Sequence, residues 1–406
     1  MLYSLLLNQI IRTGHLIVID ANQQSHNFGK SGTGPEAVIR LHDKNLHWKL
    51  LVNSPLYLGE AYMDGTLTLE NGTTLRQLLR LFAINMVSNE DSIFAPFLDL
   101  IAPIRRFFLQ FNPPGRSLKN VAHHYNIDSK LYRLFLDEDL VYTCSYFRTG
   151  EESLEQSQLE KKAHIVAKLN LQPGMKVLDL GCGWGGLALY MAQVADCDVT
   201  GITLSTEQLK IAQERAKKAG LEHKVRFFLR DYRHETGHYD RITAIGILEH
   251  IGVPQYRTFF RKIKDLLTPQ GVALVHSIGR PDGPGTTNPW FRKYLFPGGY
   301  APALSEVLPI VEDLFLWVTD IEILRLHYAK TLEHWGKRFM RNWDEAARIY
   351  DERFCRMWEF YLYAAEMEFL YLGTMVFHIQ LTKTIDALPI TRNYMFEREA
   401  ALLEQK

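Results

Sequence analysis

The stretch "VLDLGCGWGG", residues 177–186, decides the fold. A β-branched, apolar run closes on Asp179 and Leu180, and four glycines then fall within six positions: Gly181, Gly183, Gly185 and Gly186. The next residues, "WGGLALYMAQVA" (184–195), have helical apolar spacing. Strand, glycine turn and helix together open a parallel α/β unit. The same alternation continues downstream. "CDVTGIT" (197–203), "KVRFFLRD" (224–231), "RITAIGI" (241–247) and "GVALVHSIG" (271–279) read as strands. "STEQLKIAQERAKKAG" (205–220) and "VPQYRTFFRKIKDLL" (253–267) read as helices, the first opening on Ser205 and stopping at Gly220. "VTDIEILRL" (318–326) and "GTMVFHIQLTK" (373–383) add two more strands, and 329–372 reads as largely helical. The expectation is an α/β fold, a mostly parallel sheet with helices on both faces and its ligand at the carboxyl ends of the strands.

Gly181, Gly183 and Gly186 satisfy the dinucleotide spacing G-x-G-x-x-G. That reading also needs an acidic residue at the end of the second strand, for a ribose. The second strand ends "VTGITLS", with neither that residue nor an arginine for a 2′-phosphate. Asp179, two residues before the first glycine, would repel a pyrophosphate and suits a cationic amine. S-adenosylmethionine carries an ammonium and a sulfonium and no phosphate, and its methionine end can lie over Gly181 and Gly183, where no Cβ intervenes. Thr203, Ser205 and Gln208 can bond ribose hydroxyls or the ligand carboxylate, or cap the helix they open. Asp231 can accept from the adenine amino group. Tyr232 can pack on the ring or be an ordinary part-exposed aromatic. The sheet is thus expected to be a Rossmann-like class I methyltransferase sheet.

Upstream, "FNPPGRSLKN" (111–120) breaks regular structure and suggests a boundary near 115, giving domains 1–115 and 116–406. The smaller amino-terminal domain reads as mixed α+β. "HLIVID" (15–20), "AVIRLH" (37–42) and "LHWKLLVN" (46–53) are expected strands, "LYLGEAYMDGTLTLENG" (56–72) has glycine-marked turns, and "TTLRQLLRLFAINMV" (73–87) is a helix. It holds no catalytic cluster, so its expected role is to bind, position or dimerise. With 46 basic and 46 acidic residues the chain has no global field for nucleic acid. Four cysteines without a C-x-x-C pair suggest a reducing cytosol. The opening "MLYSLLLNQIIRTGHL" reads as an amphipathic helix packed on its own domain or in shallow contact with a membrane.

Six motifs then add up to a resemblance: "YTCSYF" (142–147), "VLDLGCGWGGLALYMA" (177–192), "GITLSTEQ" (201–208), "GILEHIG" (246–252), "FRKYLFPGGY" (291–300) and "LHYAKTLEHW" (326–335), with "GEAYMDG" (59–65) in the amino-terminal part. The chain resembles cyclopropane-fatty-acyl-phospholipid synthases and their mycolic acid cyclopropane synthase relatives over nearly its whole length. The resemblance implies transfer of a methylene from S-adenosylmethionine to the cis double bond of a phospholipid acyl chain, with release of S-adenosylhomocysteine. It implies a bicarbonate ion as base, held by Cys144, Glu249, His276, Tyr328 and the N–H of Ile278. It adds Tyr142, Thr143 and Leu204 to the cofactor-binding residues. The protein is then expected to be cytoplasmic, to touch the bilayer reversibly, and possibly to form a homodimer. In one respect the chain departs from the pattern: the late cysteine of many members is Ala365 here, and Cys355 lies ten residues earlier.

Methylating an alkene leaves a carbocation, so the site must be dry and must place a base near the new methyl. Aromatic faces stabilise such cations by roughly 0.5–2 kcal/mol each; Tyr142, Tyr146, Phe147, Tyr294 and Tyr328 are the candidates. Glu249 and His276 fall at the ligand-bearing strand ends. Burial would raise the Glu249 pKa, leaving it either protonated and donating to an anion or ionised and orienting it. Cys144 reads as a small buried hydrophobe rather than a nucleophile. The insert 280–305 is expected to cover the pocket, with Trp290, Phe291, Arg292, Lys293 and Tyr294 suited to a membrane interface. The competing readings are an acyl-chain methyltransferase that stops at a methyl or methylene, a small-amine N-methyltransferase, and a non-catalytic lipid-binding protein.

Overall fold

The computed structural model describes residues 2–87 and 129–404. The expected boundary near 115 lies outside the described residues. The chain divides into two compact units, and neither is continuous in sequence. One comprises residues 1–103, 287–297 and 329–374, the other residues 104–286, 298–328 and 375–406. Residues 287–297 and 329–374, which fall inside the expected 116–406 domain, group with the first unit.

In the first unit the reason lies in helix packing. Helix Glu352–Tyr371 packs on helices Leu46–Met63 and Leu75–Val87. The Tyr62 hydroxyl donates to Glu359 at 2.5 Å, and Arg76 forks onto the buried Glu366. "LHWKLLVN" is helix rather than strand. Leu46 and Leu50 are buried while Trp48 and Val52 are exposed, which is the four-residue period of a helix. Gly59 is not a turn. It lies inside that helix, where an added Cβ would stand 2.4 Å from the Trp290 indole nitrogen. Trp290 is 1% exposed, and Lys293 Nζ and the Tyr294 hydroxyl both bond Glu60, at 2.5 and 2.9 Å. Of the insert residues expected at a membrane surface, Trp290 is thus packed inside this unit, while Lys293 stays exposed beside Glu60. The unit's sheet runs β2 (Ser25–Gly29), β1 (His15–Ile19), β3 (Glu36–Leu41), β4 (Leu67–Leu69) in spatial order, with β1 and β3 parallel. β2, "SHNFG", is polar and has no apolar alternation to announce it.

The second unit is built on a seven-stranded sheet: β5 (Lys176–Leu180), β6 (Asp198–Thr203), β7 (Val225–Leu229), β8 (Tyr239–Ile245), β9 (Leu267–Gly279), β10 (Trp317–Leu324) and β11 (Met375–Thr382). Their spatial order is β10-β11-β9-β8-β5-β6-β7. The strands from β9 across to β7 are parallel, and β11 runs antiparallel between β9 and β10. Helix Tyr256–Leu266 buries Phe259, Phe260 and Ile263 on one face of the sheet, and helices Leu154–Lys168, Gly186–Ala195 and Thr206–Lys218 bury Ile165, Met191 and Ala212 on the other. The expected class I methyltransferase sheet is present. The chain runs outward from β5 through β6 to β7 and then returns to the other side of β5 as β8. The β5–β8 junction is therefore the topological switch point, where ligands bind in such sheets.

Candidate active site

The glycine loop leaves β5 with Gly181, Gly183 and Gly185 at φ +71°, +53° and +84°. Only glycine takes these angles without strain, but the three serve different ends. A Cβ at Gly183 would meet no atom within 4 Å, and one at Gly181 would touch only Ile247, at 3.4 Å. One at Gly185 would strike Phe227 of β7 at 2.7 Å. The first two glycines keep the backbone open at the switch point, and the third lets helix and sheet close up.

Around that opening, Asp179 is 2% exposed and its Oδ1 accepts from the Thr243 hydroxyl of β8 at 2.7 Å. Burial pushes its carboxyl up to about 7, so an approaching ammonium would ionise it. Thr203, Ser205 and Gln208 bond one another. The Thr203 hydroxyl donates to Gln208 Oε1 at 2.9 Å, and Ser205 Oγ accepts from the Gln208 N–H at 3.3 Å as the helix cap. Leu204 lies part-exposed between them. Asp231 is bound at both oxygens by Arg233, with contacts of 2.8 and 2.5 Å, so an adenine amino group would share the carboxylate rather than claim it. Tyr232 is buried rather than part-exposed. It is 9% exposed and stands edge-on to Phe259 in the core, with Arg233 over its ring. Tyr142 joins an aromatic wall with Tyr132 and Phe135.

"YTCSYF" reaches the switch point through Thr143, whose methyl stands 3.0 Å from where a Gly246 Cβ would be, just past β8. The Thr143 hydroxyl accepts from Lys161 Nζ at 2.8 Å, and its carbonyl accepts from Gln158 at 3.0 Å. Cys144 is fully buried, its thiol facing the Ser145 carbonyl at 3.2 Å. Tyr146 is not available to a cation, because His164 and His327 stack on it at 4.2 and 5.0 Å. The Phe147 N–H donates to His327 at 3.0 Å, at the start of the helix that carries the buried Tyr328.

Glu249 follows β8 on the single helical turn Leu248–Ile251. Its Oε1 accepts the Ile278 N–H of β9 at 2.6 Å. Its Oε2 is buried and has no hydrogen-bond partner among the described residues. Burial pushes this carboxyl up to about 7. The Ile278 N–H, expected to hold an anion directly, is spent on Glu249 here. His276, 1% exposed in β9, receives the Gly246 N–H on its carbonyl at 2.9 Å, and its Nδ1 faces His378 Nε2 at 2.8 Å. Burial, and then the charges of Lys161 and Lys168, hold its pKa down to about 3, so the ring is neutral. The structure thus brings Thr143, Gly246, Glu249, His276 and Ile278 to the exits of β8 and β9.

Lys161, His378 and Glu322 carry no motif, and sequence reasoning missed them. Lys161 is 3% exposed, and burial brings its pKa down to about 7. The one available signal was the polar stripe Lys161, His164, Lys168 along a helix that is otherwise core. Cys355 is buried in the first unit, where burial raises its thiol to about 11, which leaves it a poor nucleophile.

Residues 114–379 match the family model described as mycolic acid cyclopropane synthetase. The cyclopropane-fatty-acyl-phospholipid synthase of Escherichia coli K12 is 37% identical over 337 residues, 82% of this chain and 84% of that protein. A probable fatty acid methyltransferase of Pseudomonas putida is 33% identical over 379 residues, 90% and 93% of the two chains. Among solved structures, the cyclopropane synthase MmaA2 from Mycobacterium tuberculosis superposes with TM-score 0.63 at 29% identity, covering 67% of this chain and 99% of its own. Mycolic acid cyclopropane synthase CmaA1, complexed with SAH and CTAB, gives TM-score 0.62 at 29% identity over the same shares.

Proposed function

The chain belongs to the mycolic acid cyclopropane synthetase family of S-adenosylmethionine-dependent methyltransferases, and from that premise we propose that it closes cyclopropane rings on the cis double bonds of phospholipid acyl chains. The observation that carries the reading is Glu249: an acid with a pKa of about 7 and a buried oxygen that has no hydrogen-bond partner among the described residues, tied to the Ile278 N–H two residues along β9 from the neutral, buried His276. S-adenosylmethionine supplies an electrophilic methyl group. The protein's task is to hold the donor across Gly181–Gly183, exclude water, and manage the proton that the new methyl gives up. Glu249 and His276 can do this where water cannot reach a carbocation.

Bicarbonate fits the residues in part. Glu249 Oε2, protonated below about pH 7, can donate to an anion, and Lys161 brings a cationic group to Thr143 and Cys144. Cys144, His276 and Tyr328 would complete its surroundings, and it would supply a base. The Ile278 N–H would reach it only by leaving Glu249.

Among the described residues no helix is long and apolar enough to cross a membrane. We assign bilayer contact to the first unit, where Trp48 and Val52 stand 58% and 78% exposed, one turn apart. The second reading, an acyl-chain methyltransferase that stops short of the ring, is favoured by the likeness to the Pseudomonas putida fatty acid methyltransferase over 90% of the chain. Both readings are tested by incubating the purified protein with S-adenosylmethionine and vesicles of mono-unsaturated phospholipid. An acyl chain heavier by one methylene, with cyclopropane protons in its NMR spectrum, supports ring closure. Olefinic methylene protons support the second reading. An unchanged acyl chain refutes both.

A further inference from the structure

We infer that His276, His378 and Glu322 form a built-in proton exit that carries the proton released by methyl transfer from the active site to the sheet's solvent edge. The inference rests on the proposed methyl transfer, which leaves a proton in a closed site. In that reaction the donor's C–S bond breaks with its electron pair staying on sulfur, and a C–C bond forms. The electrons of one C–H bond then make the second C–C bond, so one proton is left over per turnover.

The sheet register builds the path. His378 of β11 lies directly opposite His276 of β9, and Glu322 of β10 lies directly opposite His378. The three side chains therefore form one cross-strand row on one face. His276 Nδ1 meets His378 Nε2 at 2.8 Å, with both residues at most 1% exposed. His378 Nδ1 has no hydrogen-bond partner among the described residues and points to Glu322 Oε2 at 3.9 Å, a gap that a carboxylate rotation or one bridging water closes. The Glu322 side chain is 30% exposed, so the row ends at solvent. Its Oε2 is also held by His164 at 2.7 Å and Lys168 at 2.6 Å, and His164 continues to Glu399 at 2.8 Å.

Burial, together with Lys168 and Lys161, keeps both relay rings neutral, so a proton passes through them and does not settle. His276 Nε2 takes the proton as its Nδ1 proton passes to His378 Nε2 and the His378 Nδ1 proton passes to Glu322, whose carboxyl, against the effect of burial, His164 and Lys168 hold down to about 2, so that it releases the proton to solvent at once. The tautomers reset before the next turnover. His164, Glu322 and His378 converge closely enough to suggest a metal site. The Lys168 ammonium argues against one, because it already neutralises the Glu322 oxygen that a cation would need.

The test uses the full chain with S-adenosylmethionine and mono-unsaturated phospholipid vesicles, following release of S-adenosylhomocysteine. His378→Phe should lower kcat by about tenfold or more, raise the solvent deuterium isotope effect, and leave the dissociation constant for S-adenosylhomocysteine within about twofold. Imidazole should restore part of the rate. In the unliganded protein, 15N histidine NMR should show His276 as the Nδ1–H tautomer in the wild type and a tautomer mixture in His378→Phe. A folded His378→Phe with unchanged kcat and isotope effect overturns the relay. If that variant does not fold, Glu322→Gln carries the test by the same two readouts, and their constancy overturns the relay equally. If the wild type methylates no lipid, the functional reading fails while the NMR comparison still decides the tautomer coupling.

Discussion

Glu249→Gln separates the proton-handling role of this side chain from its structural one. Gln keeps the Oε1 that accepts the Ile278 N–H and replaces only the buried Oε2, which has no hydrogen-bond partner among the described residues. Burial lifts the wild-type carboxyl from 4.5 to about 7. At about 1.4 kcal/mol per unit, the full penalty on the ionised form is about 3 kcal/mol. An acid whose folded pKa exceeds its unfolded one stabilises the fold below 4.5 and loses that contribution as pH rises to 7. Between about pH 5.5 and pH 8 the wild type therefore loses about 2 kcal/mol through this group, and the variant loses nothing through it. Urea melts of both proteins at the two pH values measure the difference, since Asp179 and Lys161 titrate alike in each. Turnover should fall by about a hundredfold or more, while S-adenosylhomocysteine binding by calorimetry stays within about twofold. Wild-type turnover in the variant, or a stability difference that does not change with pH, refutes the assignment.

Two further outcomes follow from the same geometry. Gly183→Ala puts a methyl into the open side of the loop, so donor affinity should fall by about tenfold with a stability loss of only about 1 kcal/mol, whereas Gly185→Ala meets Phe227 at 2.7 Å and should instead lower the melting temperature; calorimetry and thermal melts on the pair check the contrast. Trp48→Glu with Val52→Glu removes two exposed apolar side chains and should weaken binding to phospholipid vesicles in a flotation assay by about tenfold or more, with activity on detergent-dispersed lipid retained.

Legibility followed the strength of local patterning. β5 is legible because apolar run, acid and glycines coincide there, β6, β7 and β9 because a helix precedes each, and β8 from its apolar run. β11 is legible from its apolar run alone. The first unit is less legible. "LHWKLLVN" is too short for its period to be certain, and Gly59 looks like a turn until Trp290, more than two hundred residues away, is seen to need the space. Glu249 and Ile278 were legible as motif residues, but not as partners of each other. Their bond depends on how far the turn after β8 reaches along β9. Tyr146 shows a related limit: a sequence shows an aromatic, not which of its faces are already covered.

The proton row is the extreme case of information that only register supplies. His276, His378 and Glu322 sit on three strands whose order in space, β9-β11-β10, differs from their order in sequence. No spacing rule links positions a hundred residues apart. Because side chains alternate along a strand, a one-residue slip of β11 would turn His378 to the opposite face and set Phe377 or Ile379 against His276. The neighbours of His378 resist that slip, since Phe377 and Ile379 are fully buried in the core on the other face. The packing that fixes the sheet therefore also fixes the alignment of the relay. A change at Phe377 that loosened the register should then weaken proton exit without touching a single group that carries a proton.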